Sequence, residues 1–275
     1  RTFDEVEADW RQVNLAKVQE FHRRFVATDH AQFAAVGDFD PKAVTQALQD
    51  SLANWTSAEP YARVPDPLVP VQPVRLQLQT PDKQNATLNA RLAVALTDRD
   101  PDYAAFMMAN HLLGSGGDSR LWNRIREKEG LSYSVYSAVQ WNPIERNSEW
   151  VAAAIFAPQN RAKVEQAFQE ELARALKDGF TQAELDAGRK GLLNFRRLGR
   201  AQDGRLAGAL AANLYLDRDF ALAARVDDSL SKLTLEQVNA ALRRYLKPEQ
   251  LVQGVAGDFA GADKLPAAGA KSTAP

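Results

Sequence analysis

LAKVQEFHRRFVATDHAQFAAVGDF, Leu15–Phe39, recurs without a gap as LEQVNAALRRYLKPEQLVQGVAGDF, Leu235–Phe259. Seven of the 25 aligned positions are identical: Leu15/Leu235, Val18/Val238, Arg23/Arg243, Arg24/Arg244, Gly37/Gly257, Asp38/Asp258 and Phe39/Phe259. Apolar character is kept at Phe25/Tyr245 and Val26/Leu246. Each copy reads as an amphipathic helix, a short turn and an apolar strand closed by Gly-Asp-Phe. The 220-residue spacing is far longer than a solenoid unit and implies tandem domains. The second copy follows a full domain's length of chain, whereas the first follows almost none. The reading is one complete repeat preceded by the tail of another.

Working outward, residues 13–27 carry Leu15, Val18, Phe21 and Phe25 at helical spacing, and 31–36 read as a short strand. Asp40-Pro41 starts a second helix, with Asp40 as N-cap and Pro41 in the first turn. These elements make residues 1–57 a helix–strand–helix remnant of a preceding repeat. Five prolines follow within Ser57–Pro73, so 58–74 reads as a linker or a strap over the surface.

Residues 75–260 read as the complete domain. Strands are expected at 75–79, 87–96, 131–141, 148–156 and 250–256, with Leu88, Ala90, Leu92, Val94 and Leu96 sharing one face of the second. Helices are expected at 101–113, ended by Gly114, and at 119–128, ended by Gly130 in a left-handed cap. Further helices fall at 159–177, 181–199, 203–216, 219–230 and 234–246. Strands early and helices late argue for an α+β fold, an antiparallel or mixed sheet packed against a layer of helices. Residues 261–275 have the composition of a disordered tail.

Composition excludes several functions. A net charge of −1 supplies no global field for nucleic acid. There is no cysteine, hence no disulfide or thiolate chemistry. No apolar run approaches the roughly 18 residues of a membrane span. The chain's compartment is not readable; the bacterial periplasm or another soluble compartment is compatible. The histidines are His22, His30 and His111, with no H-x-x-E-H or H-E-x-x-H pattern, so no metal site is expected in this chain.

Leu112–Ser137, LLGSGGDSRLWNRIREKEGLSYSVYS, is the segment where chemistry concentrates. Its glycines do not make a phosphate loop: a third Gly is missing where Ser119 stands, and the segment follows a helix rather than a strand. Gly114 reads as a helix end and Asp118 or Ser119 as the next cap. Arg126 suits a helix C-terminus. Tyr133 alternates with Val135, Val139 and Trp141, which puts it on a packed strand face. Arg189, Lys190, Arg196, Arg197, Arg200 and Arg205 read as a solvated basic face or as a docking surface for an acidic neighbour.

These residues resemble the pitrilysin/insulinase zinc metallopeptidases, a family that includes processing peptidases and the core proteins of the cytochrome bc1 complex. The resemblance rests on SRLWNRIREKEGLSYSVYS (119–137), on VGDF (36–39) and AGDF (256–259), and on the long repeat period. It implies a clamshell of paired α+β domains, in which the first of a pair holds zinc through H-x-x-E-H. The second lacks zinc and supplies an Arg and a Tyr seven apart. On that pattern Arg126 holds substrate carbonyls and Tyr133 donates its hydroxyl to the oxyanion formed during hydrolysis. Gly114, Gly116, Gly117 and Ser119 correspond to a flexible glycine loop near the substrate entrance. The resemblance thus implies a non-catalytic C-terminal portion of a zinc endopeptidase, inactive alone. Its zinc-bearing partner domain would be in the same polypeptide or another subunit, and its substrate a peptide. Two alternatives stay open: a non-proteolytic assembly or scaffold subunit, and a peptide-binding module.

Overall fold

The segment TLNARLAVAL lies at the centre of a five-stranded sheet in the computed structural model, which describes residues 1–262. The strands are β1 (Val74–Gln79), β2 (Ala86–Val94), β3 (Ser132–Gln140), β4 (Ser148–Phe156) and β5 (Val252–Gly257). Their order is β1-β5-β2-β4-β3, with β1 and β5 parallel and the remaining pairs antiparallel. The sheet is therefore mixed, and the fold is α+β. Helices in chain order are α1 (Phe3–Arg11), α2 (Leu15–Phe25), α3 (Pro41–Leu52), α4 (Tyr103–Asn110), α5 (Arg161–Asp178), α6 (Gln182–Arg200), α7 (Asp203–Tyr215), α8 (Ala221–Lys232), α9 (Leu235–Tyr245) and α10 (Phe259–Ala262).

The chain divides into two compact units, residues 1–65 with 200–219, and residues 66–199 with Phe220 onward. Residues 200–219, which the sequence places inside 75–260, group with the first unit, where the Tyr61 and Tyr215 hydroxyls meet at 2.5 Å.

The second unit holds the core. Along β2, Ala86, Leu88, Ala90, Leu92 and Val94 are buried while the residues between them are not, as period-two alternation requires. Phe106 and Met108 of α4, Phe168 and Leu172 of α5, Leu185 of α6, and Val238 and Leu242 of α9 supply the helical half of that core. Fully burying each such side chain contributes about 1.5–3 kcal/mol. Asp102, beside the start of α4, accepts hydrogen bonds from Arg244 and from the Tyr245 hydroxyl, tying α4 to α9 at one end. Gly130 takes φ +59°, the left-handed cap its position predicts. No helix among the described residues is long and apolar enough to cross a membrane.

The first unit is built differently. Thr2 and Glu5 form a capping box on α1, which the sequence reading missed, and the Asp40 carboxylate caps α3 at Lys42 N, 2.8 Å. Yet α1, α2, α3 and α7 bury no residue. Polar contacts hold the unit: Arg24 with Glu59 at 3.0 Å, and the Thr28 hydroxyl on the Leu52 carbonyl at 2.8 Å. Residues 31–36 form no strand, contrary to the helix–strand–helix expectation. Their counterpart β5 lies between β1 and β2, and a strand needs such neighbours to take its hydrogen bonds. No strand falls in the first unit among the described residues. The tail expected at 261–275 begins inside α10, and its remainder lies outside the described residues.

Candidate functional site

α4 runs on past Asn110 as a π-helical stretch, His111–Ser115, and the chain then turns through Gly116–Asp118. Gly114 sits where this stretch meets β3. A Cβ there would lie 2.3 Å from Ser137 Oγ and 2.7 Å from Ser137 N, so only glycine allows the approach. Beside it, Asn110 Oδ1 accepts from the Ser137 hydroxyl at 2.7 Å and from Trp150 Nε1 at 2.9 Å. All three residues are buried, and the network pins α4 to β3 and β4. Gly116 folds the loop back over His111, its amide donating to the His111 carbonyl at 2.9 Å. Gly117 is open, with no atom within 4 Å of where a Cβ would be.

Arg126 lies in a second π-helical stretch, Trp122–Lys128, and Tyr133 near the start of β3. The Arg126 guanidinium stacks over the Trp122 ring at 4.2 Å and donates to the Tyr133 carbonyl. Glu127 lies 3.6 Å from it. Pairing with β4 shifts register between Ser132 and Ser134, which makes Tyr133 the extra residue of a β-bulge. The Ser132 hydroxyl anchors that bulge, donating toward the Ile155 carbonyl at 2.6 Å and accepting from Ser134 N at 3.1 Å. The bulge breaks the alternation read from the sequence. Val135 stays buried while Tyr133 is 58% exposed, so the packed-face reading of Tyr133 is corrected.

A cavity of about 780 Å³ separates the loop from α6. Gly116, Gly117 and Ser119 line it from the loop side with His111, and Ala187, Gly188 and Gly191 from α6. Ser119 is 2% exposed, and its hydroxyl has no hydrogen-bond partner, so it is not the cap expected of it. Burial holds the His111 imidazole below its ordinary pKa and favours the neutral ring. Glu184, at the first turn of α6, pairs with Arg120 at 2.6 Å and accepts from Thr181 N at 2.7 Å. Burial pushes the Glu184 carboxyl up, but the Arg120 and Thr181 hydrogen bonds outweigh it and hold the group below the usual range. Of the basic run, Arg189 pairs with Asp186 at 3.0 Å and Arg196 with Asp227 at 2.5 Å, bonds within this chain.

The six residues singled out from the sequence thus fall into three places. Gly116, Gly117 and Ser119 share the cavity, Gly114 packs against Ser137, and Arg126 and Tyr133 meet through a backbone carbonyl. The family model for the peptidase M16 inactive domain matches residues 12–192. The chain belongs to that family.

This M16 inactive domain is 26% identical over 219 residues to an uncharacterized zinc protease of Mycobacterium leprae, covering 69% of this chain and 46% of that protein. It is 25% identical over 246 residues to another of Mycobacterium tuberculosis, covering 84% and 52%. The chain therefore spans about half the length of the curated relatives it matches. Among solved structures, a peptidase M16 inactive domain from Pseudomonas fluorescens superposes with a TM-score of 0.72 at 25% identity, covering 90% of this chain and 57% of that one. A protease from Helicobacter pylori shares the fold, with a TM-score of 0.73 at 16% identity over 90% of this chain and 60% of that one.

Zinc does not fit the described residues of this M16 inactive domain. Zinc takes three or four nitrogen, sulfur or oxygen ligands, and no group of three His, Asp or Glu side chains converges among the described residues. Gly116, Gly188 and Gly191 lie beside the His111 ring, and the Ser115 hydroxyl is 3.4 Å from Nδ1. The sequence reading gave no role to His111, Gly188 or Gly191. Gly188 and Gly191, three residues apart in mid-helix, were the available signal, since each weakens the helix unless something needs its space.

Proposed function

We propose that this chain completes the peptide-binding chamber of a zinc metalloendopeptidase whose zinc sits on another M16 domain, in the same polypeptide or another subunit. The observation that carries the reading is Tyr133, an exposed aromatic residue on an anchored bulge whose backbone carbonyl accepts from Arg126. Tyr133 would donate its hydroxyl to the peptide carbonyl oxygen as that atom gains charge. Arg126 carries five N–H donors and commits one to Tyr133, leaving others for substrate carbonyls. The glycine loop would border the entering peptide. The zinc supplies the Lewis acid and the activated water, and this chain supplies positioning and charge stabilisation.

The first unit supports a two-domain reading. Val18 is 51% exposed, while its repeat counterpart Val238 is fully buried in the core of the second unit. Residues 1–57 then act as the closing elements of a preceding repeat, 58–74 as the linker and 75–260 as the non-zinc half, with 31–36 pairing only when the sheet of that repeat is present. The periplasm is a compartment consistent with such a peptidase.

The test is direct. Purified alone, the chain should bind no stoichiometric zinc and cleave nothing. Combined with its zinc-bearing counterpart it should restore peptide hydrolysis, and Tyr133→Phe should lower kcat about 10²–10³-fold with little change in KM. Zinc near one per chain, or unchanged turnover in the variant, would overturn the reading.

A further inference from the structure

The cavity between the glycine loop and α6 holds more room than packing requires. Gly188 has a structural reason: a Cβ there would lie 2.3 Å from Leu112 Cδ2. Gly191 has none. The nearest atom to its would-be Cβ is His111 Nε2 at 3.8 Å, an ordinary contact distance. Glycine in a helix interior is destabilising relative to alanine, so Gly191 gives up helix stability without enabling any close approach. What it preserves is space in the cavity.

Two further observations describe what that space suits. Ser119 lines the cavity, but its hydroxyl oxygen is itself buried and offers the space no polar surface. Two other polar groups of the lining are settled. Burial favours the neutral form of His111, and the charge of Glu184 is matched by Arg120. Leu112, Ala187, Leu192 and Phe195 make the rest of the lining largely apolar. A cation would find the Glu184 carboxylate already engaged, and an anion would meet Asp118 at the loop.

We propose that this cavity is a specificity pocket for an apolar segment of a peptide. The proposal rests on the chain's reading as the peptide-binding half of a peptidase and adds what that half selects. The volume of about 780 Å³ lies within the roughly 300–1,000 Å³ that holds a drug-sized ligand, more than one side chain fills. The occupant is accordingly two neighbouring bulky residues, aliphatic or aromatic.

The test uses the intact chain and three fluorescein-labelled peptides of Gly-Ser sequence, carrying Leu-Phe, Lys-Lys or Asp-Asp at the centre, read by fluorescence anisotropy. The Leu-Phe peptide should bind at least about tenfold more tightly than the others. Gly191→Leu places bulk in the cavity without a backbone clash and improves helix propensity, so it should fold with an undiminished Tm. It should weaken Leu-Phe binding at least about tenfold. Equal affinity for the three peptides, tightest binding of Lys-Lys or Asp-Asp, or full Leu-Phe affinity in Gly191→Leu would each overturn the proposal. The Tyr133→Phe turnover assay reads the wider function separately. A kcat loss there without apolar preference here discards the pocket and keeps the chamber.

Discussion

Gly114→Ala and Gly117→Ala, two identical changes three residues apart in one glycine-rich loop, should behave oppositely. At Gly114 the new Cβ would lie 2.3 Å from Ser137 Oγ, 2.7 Å from Ser137 N and 2.9 Å from Ser137 Cβ. Backbone cannot rotate away as a side-chain tip can, so α4 and β3 must separate locally, an overpacking strain of about 1–3 kcal/mol. Displacing the Ser137 hydroxyl also disturbs its bond to Asn110 Oδ1 inside the core, worth about a further 1 kcal/mol. The sum is about 2–4 kcal/mol, or roughly 4–16 °C in Tm for a protein of this size. At Gly117 no atom lies within 4 Å of the added carbon, and φ is not in the left-handed region. Alanine there restricts the unfolded chain and should leave Tm within a degree or two, or raise it slightly. Thermal melts by circular dichroism, with peptide binding measured in parallel, separate the two cases. Equal Tm shifts, or a Gly114→Ala protein as stable as its parent, would refute the assignment of Gly114 to close packing.

Two other outcomes follow from the same region. Asn110→Leu removes the acceptor of both Ser137 Oγ and Trp150 Nε1 and should destabilise by about 2–5 kcal/mol in urea titration; a change below about 1 kcal/mol would mean those donors find other partners. Because His111 is held below its ordinary pKa in the folded chain, the unfolded chain binds more protons near that pKa. Stability owed to this group is full above roughly pH 6.5 and falls as pH drops toward the folded value, by at most about 1.4 kcal/mol per unit. His111→Gln should flatten that part of the stability profile, and an unchanged slope between about pH 7 and pH 5.5 would contradict it.

The strength of the sequence signal differed between elements for physical reasons. β2 was readable because its buried face is lined by the sheet's own period. Gly130 was readable because a left-handed cap favours glycine whatever surrounds it. The strand expected at 31–36 failed because pairing is not a property of the segment. The same pattern forms β5 where two neighbouring strands flank it and forms nothing where none does. Helix α1 was missed although its Thr2–Glu5 capping box is a local signal.

For the candidate site, the residue types and the family were legible in the chain, since a spaced motif and a long repeat survive in one dimension. Their surroundings were not. An extra residue in the ladder opposite β4 turned Tyr133 outward against its alternation, because register belongs to a pair of strands rather than to either one. Likewise, one glycine of the loop is clamped against Ser137 and another stands open, although their letters are the same. Gly191 has room around it only because α6 comes back beside a loop more than 70 residues earlier in the sequence. Local propensity and periodicity decided which elements form; which side chains face water, which backbones touch and where space remains were decided by long-range packing, which couples residues the sequence holds far apart.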